Sequence, residues 1–282
     1  MLSILVITHN EEENIGKCLD SIAWCDDVVV VDSGSTDRTS ALCDRPNVRF
    51  LQHPFAGWAA QRQWALDHVP MAHDWVLSLD ADETVSCELR DEMLARAGRE
   101  AFVAYEMAFR LVLWGKWLKR SSHYPVFITR LYRKDKVRYA ESGATDVASI
   151  DGPVGRLAHD LYHVNYKPLE DWLAKHVRYA AREADRAAYE PFDLRRLLSG
   201  GTHIERRQEL KKLWAKVPMR PALYFCLTYV GKGGFLDGAA GFRLAFLKAT
   251  YEYWVDVMRS ERVAGPNRAP EGWSNAPDRG PS

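Results

Sequence analysis

The chain has 282 residues, 47% of them hydrophobic, enough for one large core with a smaller appendage. Its 38 basic and 38 acidic side chains cancel, so no global field draws it to polyanions and nucleic acid is not an expected partner. Five cysteines (Cys18, Cys25, Cys43, Cys87 and Cys226) show no CxxC or Cys/His spacing and read as reduced core residues. The start of the chain carries no basic, cleavable leader, so a cytoplasmic location is expected. The apolar run Ala222 to Val230 is about half of the roughly 20 residues a bilayer span requires, so no transmembrane helix is expected.

In chain order, residues 2–8 form an apolar strand, and Asn10 with Glu13 offers a capping box for a helix that gathers Ile15, Cys18, Leu19 and Ile22 on one face. Asp27 to Val31 reads as a second strand, Thr36 as the cap of a short helix through Cys43, and Val48 to Leu51 as a third strand. A helix over Trp58 to His68 leads to a strand over Trp75 to Leu79 and a Ser86-capped helix through Ala97. Such alternation predicts an α/β fold with a mostly parallel sheet covered by helices, whose ligands gather beyond the carboxyl ends of the strands.

From Ala101 to about Tyr166 apolar and polar residues alternate, as in a β-rich half. Pro168 then opens a long helix with a stripe of Leu169, Trp172, Leu173, His176, Val177 and Ala180. Two or three more helices are expected over 204–258, and a disordered tail from Gly265 to Ser282. The expected organisation is a catalytic domain over 1–166, divided at residue 100, a helical extension over 167–262 and a tail over 263–282.

Three polar clusters follow predicted strands directly: Thr8-His9-Asn10-Glu11, Asp32-Ser33-Gly34-Ser35-Thr36-Asp37 and Asp80-Ala81-Asp82-Glu83. An Asp-x-Asp turn suits a hard divalent cation, which takes carboxylate and phosphate oxygens and stabilises charge on a departing diphosphate. Gly34 permits a tight turn, capping accounts for Thr36 and Asp37, and Asp32 could accept hydrogen bonds from a nucleobase or ribose.

The order and spacing of these motifs resemble the family 2 glycosyltransferases. Trp24-Cys25-Asp26-Asp27, Gln52-His53-Pro54-Phe55-Ala56-Gly57-Trp58, Arg130-Leu131-Tyr132-Arg133 and Gly234-Phe235-Leu236-Asp237-Gly238 resemble the bacterial lipopolysaccharide core β-1,4-glucosyltransferase branch. The resemblance implies a GT-A nucleotide-diphospho-sugar transferase fold and non-processive, inverting transfer of a hexose, glucose above others, from a UDP-sugar. It also implies Mg²⁺ or Mn²⁺ as cofactor and a lipid-linked saccharide, such as lipopolysaccharide core, as acceptor.

Carried over by position, Thr8, Asn10, Glu11, Gly34, Arg62 and Ala81 would border the donor, Asp32 would hold the uracil, and Asp80 would contact ribose or metal-bound water. Asp82 would ligate the metal and His163 would complete its shell or touch the diphosphate. Asp146 would be the general base, with Glu141 as competitor. The family often has a basic residue followed by Asn where this chain has Arg62-Gln63, and Gly-Gly-Trp where it has Ser122-His123-Tyr124.

Arg206, Arg207, Lys211, Lys212, Trp214 and Lys216, with Tyr224, Phe225, Tyr229, Phe235, Phe242 and Phe246 beyond them, could pack and solvate a helix or form a peripheral contact with the inner face of a membrane. A nucleotidyltransferase on a related scaffold and a non-catalytic, membrane-associated sugar- or nucleotide-binding protein remain the alternatives. The first is disfavoured because no glycine precedes Gly16.

Overall fold

The computed structural model describes residues 1–98, 101–142, 145–189, 209–210, 212–214 and 217–264, with the side chains of 141–142, 145 and 186–189 outside the description. Met1–Lys175 with Ala222–Ala249 make one compact unit, and His176–Pro221 with Thr250–Ser282 a second.

In the first unit, strands β1 (Ser3–Thr8), β2 (Val28–Asp32), β3 (Val48–Gln52) and β4 (Trp75–Asp80) pair in parallel in the order β3-β2-β1-β4. Helices α1 (Ile15–Ser21), α2 (Thr39–Leu42), α3 (Trp58–His68) and α4 (Cys87–Arg96) alternate with or follow them. β1, β2 and β4 are buried on both faces, which is why their sequences are almost continuously apolar. Ile4, Val6, Val28, Val30, Leu77 and Leu79 belong to a core that includes Ile15, Cys18, Leu19, Leu89 and Met93 of α1 and α4. Leu5, Val29, Val31 and Val76 belong to another, with Ala65 of α3. Burial of each valine, leucine, isoleucine or methionine among these contributes about 1.5–3 kcal/mol.

The β-rich half extends the same sheet rather than forming a separate layer. β8 (Phe127–Arg133) pairs antiparallel with β4, and β6 (Ala104–Leu113) antiparallel with β8. β12 (Leu161–Val164) then runs parallel to β6 and carries the two-residue β5 (Glu83–Thr84) antiparallel on its far side. β7 (Lys116–Trp117) and β11 (Val154–Arg156) also pair with β6. The sheet is therefore mixed, with parallel pairings in the majority, as expected. This remains the α/β arrangement expected of a GT-A fold, with a helical C-terminal region. β9 (Val137–Ser142) and β10 (Thr145–Ile150) form a separate antiparallel hairpin.

Several local expectations are corrected. Helix α1 begins at Ile15 behind Asn14, not at an Asn10–Glu13 box: Asn10 adopts φ +53 and turns its side chain to Thr36 N (2.8 Å). Thr36 is thereby outside α2, whose N-cap is Arg38. Ser86 does cap α4, accepting from Leu89 N (3.2 Å). Cys18, Cys25 and Cys43 are buried, but Cys87 and Cys226 are exposed. The stripe predicted after Pro168 lies on α5 (Leu169–Tyr189), yet Leu169 and Val177 are exposed and only Ala180 of that set is fully buried. The predicted tail over 265–282 lies outside the described residues.

The last described part of the first unit is built on close backbone approach. A π-helical turn over Cys226–Gly231 and a 3₁₀ turn over Gly234–Asp237 lead into a long helix, Gly238–Ala264. A Cβ at Gly241 would stand 2.1 Å from the Gly234 carbonyl oxygen, so only glycine fits there. In the second unit Ala180, Ala184 and Val255 are buried together, and Arg220 pairs with Glu252 (3.0 Å) and Asp256 (2.9 Å). Among the described residues no helix is long and apolar enough to cross a membrane.

Candidate active site

The chain runs outward from β1 to β2 and β3 and then crosses back to β4 on the other side of β1, and at such a reversal of strand order a crevice opens beyond the carboxyl ends. Register lines up the polar strand ends: Thr8 pairs with Asp32, and Ile7 with Asp80. Each strand stops there because its apolar run gives way to groups that need hydrogen-bond partners.

The first two loops are knitted together. Asn10 N donates to Ser35 Oγ (2.7 Å), Glu11 N to Thr39 Oγ1 (2.8 Å) and Glu12 N to Asp37 Oδ2 (3.1 Å). Asp32 has no solvent exposure. Its Oδ2 accepts from Gly34 N (3.0 Å) and Ser35 N (2.8 Å), and its Oδ1 from Ser35 Oγ. Gly34 sits at φ +82 with open space around its Cα, so backbone conformation rather than room requires glycine. Gln52 Nε2 also donates to Asp32 Oδ2 (3.4 Å), so the buried carboxylate holds the turn and ties it to the end of β3. Thr8 Oγ1, buried beside it, has no hydrogen-bond partner among the described residues.

Glu11 is tied to the segment that follows β12: Lys167 Nζ lies 2.6 Å from Glu11 Oε1, and Asn14 Nδ2 donates to Glu11 Oε2 (2.6 Å). Burial pushes the Glu11 carboxyl up, and the nearby Asp82 charge adds to that, against the opposing pull of Lys167.

A buried ionic network occupies the end of β4. Arg62 on α3 is only 2% exposed at its side chain. It donates from Nη2 to Asp80 Oδ1 (2.6 Å) and pairs through Nε with Asp146 Oδ2 (3.0 Å). Arg130 on β8 donates from Nη2 to Asp80 Oδ2 (2.7 Å) and Glu83 Oε1 (2.9 Å), while Glu83 Oε2 accepts from Asp80 N (2.8 Å). Burial opposes the Asp80 charge, but Arg130 and then Arg62 overcome it and hold Asp80 well below the usual carboxylate range. Asp80 therefore faces two guanidinium groups, Arg62 on Oδ1 and Arg130 on Oδ2.

Glu83 goes the other way. Burial pushes it up to about 7 from 4.5, and Arg130 offsets only part of that. Between those values the folded protein binds more protons than the unfolded chain, so this contribution to stability is complete below about 4.5 and fades as pH rises through about 7. Urea midpoints of the wild type should accordingly fall across that window, and Glu83→Gln should flatten the decline; an unchanged slope would remove Glu83 from the account.

Asp82 and His163 converge from distant sequence. Val164 N donates to the Asp82 carbonyl (2.9 Å), β12 sets His163 opposite Glu83, and His163 Nε2 reaches 3.4 Å from Asp82 Oδ2. No group of three or more His, Cys, Asp or Glu able to hold a metal occurs among the described residues. One carboxylate and one imidazole still suit a divalent ion that takes its remaining ligands from diphosphate and water, with the imidazole favouring Mn²⁺ over Mg²⁺. Asp146 lies on β10 opposite Glu141 on β9; the Glu141 side chain lies outside the described residues. Ala81 is buried within the turn.

Sequence reasoning did not assign Arg130, Glu83 or Lys167. Arg130 was visible as one of two arginines in the strand Phe-Ile-Thr-Arg-Leu-Tyr-Arg, and Glu83 as the end of the acidic cluster. Nothing local pointed to Lys167.

Residues 3–149 match the family described as Glycosyl transferase family 2. The lipopolysaccharide core biosynthesis glycosyltransferase LpsC of Rhizobium meliloti (strain 1021) is 30% identical over 273 residues, covering 93% of both chains. An uncharacterized glycosyltransferase of Rickettsia felis is 28% identical over 198 residues, 65% of this chain and 69% of its own. Among solved structures, S. aureus TarS 1-349 in complex with UDP-GlcNAc is similar over 94% of this chain and 92% of that one, at 17% identity and a TM-score of 0.44. On the match to residues 3–149 and the full-length similarity to LpsC, the chain belongs to glycosyl transferase family 2.

Proposed function

We propose that the protein transfers one hexose, glucose foremost, from a UDP-sugar to a hydroxyl of a lipid-linked saccharide such as lipopolysaccharide core, with inversion. The observation that carries this reading is the row of strand ends Thr8, Asp32 and Asp80 beside the converging Asp82 and His163. Full-length similarity to a lipopolysaccharide core enzyme supports the acceptor class.

In this reading the Asp32 turn shapes the uridine side of the site and Thr8 Oγ1 offers it an unpaired hydroxyl, with Asn10, Glu11, Gly34 and Ala81 bordering the donor. Asp82 and His163 would hold a divalent ion, which when bound supplies Lewis-acid stabilisation of the leaving diphosphate. Arg62 and Arg130 hold Asp80, and with it the acidic turn, in one geometry. Asp146, held through Oδ2 by Arg62, takes the proton of the attacking hydroxyl, with Glu141 as the competing base. A cleft lined by Leu113, Trp114, Asn165, Lys167, Trp172 and Leu244 begins at the Lys167–Glu11 pair and suits the acceptor saccharide. The protein would work at the cytoplasmic face of a membrane, where such acceptors are presented.

Thermal unfolding with Mn²⁺ and UDP-glucose, UDP-galactose, UDP-GlcNAc or UDP tests the donor. Saturation at 100 times Kd stabilises by about 2.7 kcal/mol, so UDP-glucose should raise Tm most and undergo slow hydrolysis. No shift with any uridine nucleotide would sink the proposal.

A further inference from the structure

Two segments far apart in sequence, 114–126 and 222–249, pack together in the first unit. Asp237 is 5% exposed, and its Oδ2 accepts from Arg120 N (2.9 Å), Ser121 N (2.8 Å) and Ser121 Oγ (2.8 Å). Leu118 is buried with Ala240 and Leu244, and the His123 ring stacks on Tyr224. These contacts fix a surface whose composition is unusual for a protein facing water.

Leu227, Val230, Phe235, Leu236, Phe242 and Phe246 are all exposed, Val230 at 63% and Leu236 at 61%. The three phenylalanines are joined through Tyr229, and Leu227, Val230 and Leu236 lie on the same two turns as Tyr229 and Phe235. Ring centroids of Tyr229 and Phe235, Tyr229 and Phe242, and Phe242 and Phe246 lie 6.4, 5.5 and 6.0 Å apart. Scattered apolar residues on a surface need no explanation, but a contiguous patch marks a contact.

Charge identifies the partner. Lys116, Lys119 and Arg120 in one segment and Lys232 and Arg243 in the other are exposed, and Arg243 lies over the exposed Trp114 ring. The one acidic residue in either segment is Asp237, buried in its clip. A second copy of the same surface would set cations against cations, whereas anionic headgroups complement them. With no described helix able to span a bilayer, insertion to the depth of the headgroup–acyl boundary is the geometry that remains.

We infer that this face docks on an anionic lipid surface, with its aromatic and branched side chains at the acyl boundary and its lysines and arginines on lipid phosphates. Such a surface deepens the lipid-linked acceptor reading and rests on it for its purpose. The helix that bears Phe242 and Phe246 also lines, through Leu244 and Leu247, the cleft that contains Trp114 and Lys167. A saccharide carried on a docked bilayer would thus meet the cleft without leaving its anchor.

Flotation of the full chain with vesicles of phosphatidylcholine alone, and of phosphatidylcholine mixed with phosphatidylglycerol, tests this. Wild type should float with the mixed vesicles and release on raising salt. Combined Leu227→Ser, Phe235→Ser and Leu236→Ser should weaken binding at least about tenfold. Lys119→Glu with Arg120→Glu and Arg243→Glu should abolish the preference for anionic vesicles. Acceptor-free UDP-sugar hydrolysis without vesicles should be unchanged in both variants, so failure of the donor reading would show separately, as wild type that never hydrolyses. Wild type that does not float with either vesicle, or serine variants that float as wild type does, would overturn the inference. So would a dimer by light scattering that the serine variants convert to monomer.

Discussion

Replacing Arg62 by Met should destabilise the protein by about 3–5 kcal/mol, the usual cost of removing one partner from a buried ion pair, and should lower UDP-sugar turnover by at least about 100-fold. Arg62 is 2% exposed at its side chain and bridges Asp80 at 2.6 Å to Asp146 at 3.0 Å. Without it Asp146 loses its cation and Asp80 keeps only Arg130. A hydrophobic side chain of similar length replaces the packing but leaves two carboxylates short of a counter-charge, so desolvation outweighs the gain in burial. Adding Asp146→Leu should recover part of the urea midpoint but none of the turnover, because the buried network regains its charge balance while Asp80 still lacks Arg62 and the proposed base is gone. A single Arg62→Met variant with wild-type midpoint and turnover would show that the network holds nothing in place.

Asp82→Ala should have the opposite profile, with stability nearly unchanged and metal-dependent turnover down by about 100-fold or more, a change of roughly 3 kcal/mol or more in transition-state stabilisation. The Asp82 backbone, not its carboxylate, anchors β12 through the bond to Val164 N. Its side chain faces His163 only across 3.4 Å. Alanine therefore keeps the strand pairing and removes the oxygen ligand. Because the Asp82 charge helps raise Glu11, the substitution should also lower the Glu11 pKa, visible by NMR titration of the carboxyl. Mn²⁺ titration followed by paramagnetic resonance reads the site directly. Undiminished Mn²⁺ affinity and turnover in Asp82→Ala would place the metal elsewhere.

How far sequence reasoning reached depended on the range of the interaction. The α3 limits, Trp58–His68, coincide with the expectation, and β1 to β4 differ from it by one residue at one or both ends, while the two-residue β5 was not expected. Apolar period and turn residues act within a few positions, so they are readable there. Asn10 misled for the same reason: a polar residue three positions before Glu13 suggests a capping box, yet its oxygen is claimed by Thr36 N, 26 residues away. Asp32 was recognised as a residue that could accept hydrogen bonds; that the Gly34 and Ser35 amides both reach its Oδ2 depends on the turn that Gly34 makes at φ +82.

By itself, the sequence determined the α/β class, the three polar strand ends and the membership of the family, because each rests on local periodicity and motif order. Only the tertiary structure decided that β8 lies beside β4, which brings Arg130 to Asp80 and Glu83, and that α3 turns Arg62 toward both Asp80 and Asp146. It also decided that β12 carries His163 to Asp82 and that the chain beyond it brings Lys167 to Glu11. These pairs lie from 18 residues apart, Arg62 and Asp80, to more than a hundred, Glu11 and Lys167. No local propensity specifies them; they follow from the order in which strands join the sheet and from the cost of leaving buried charges without partners.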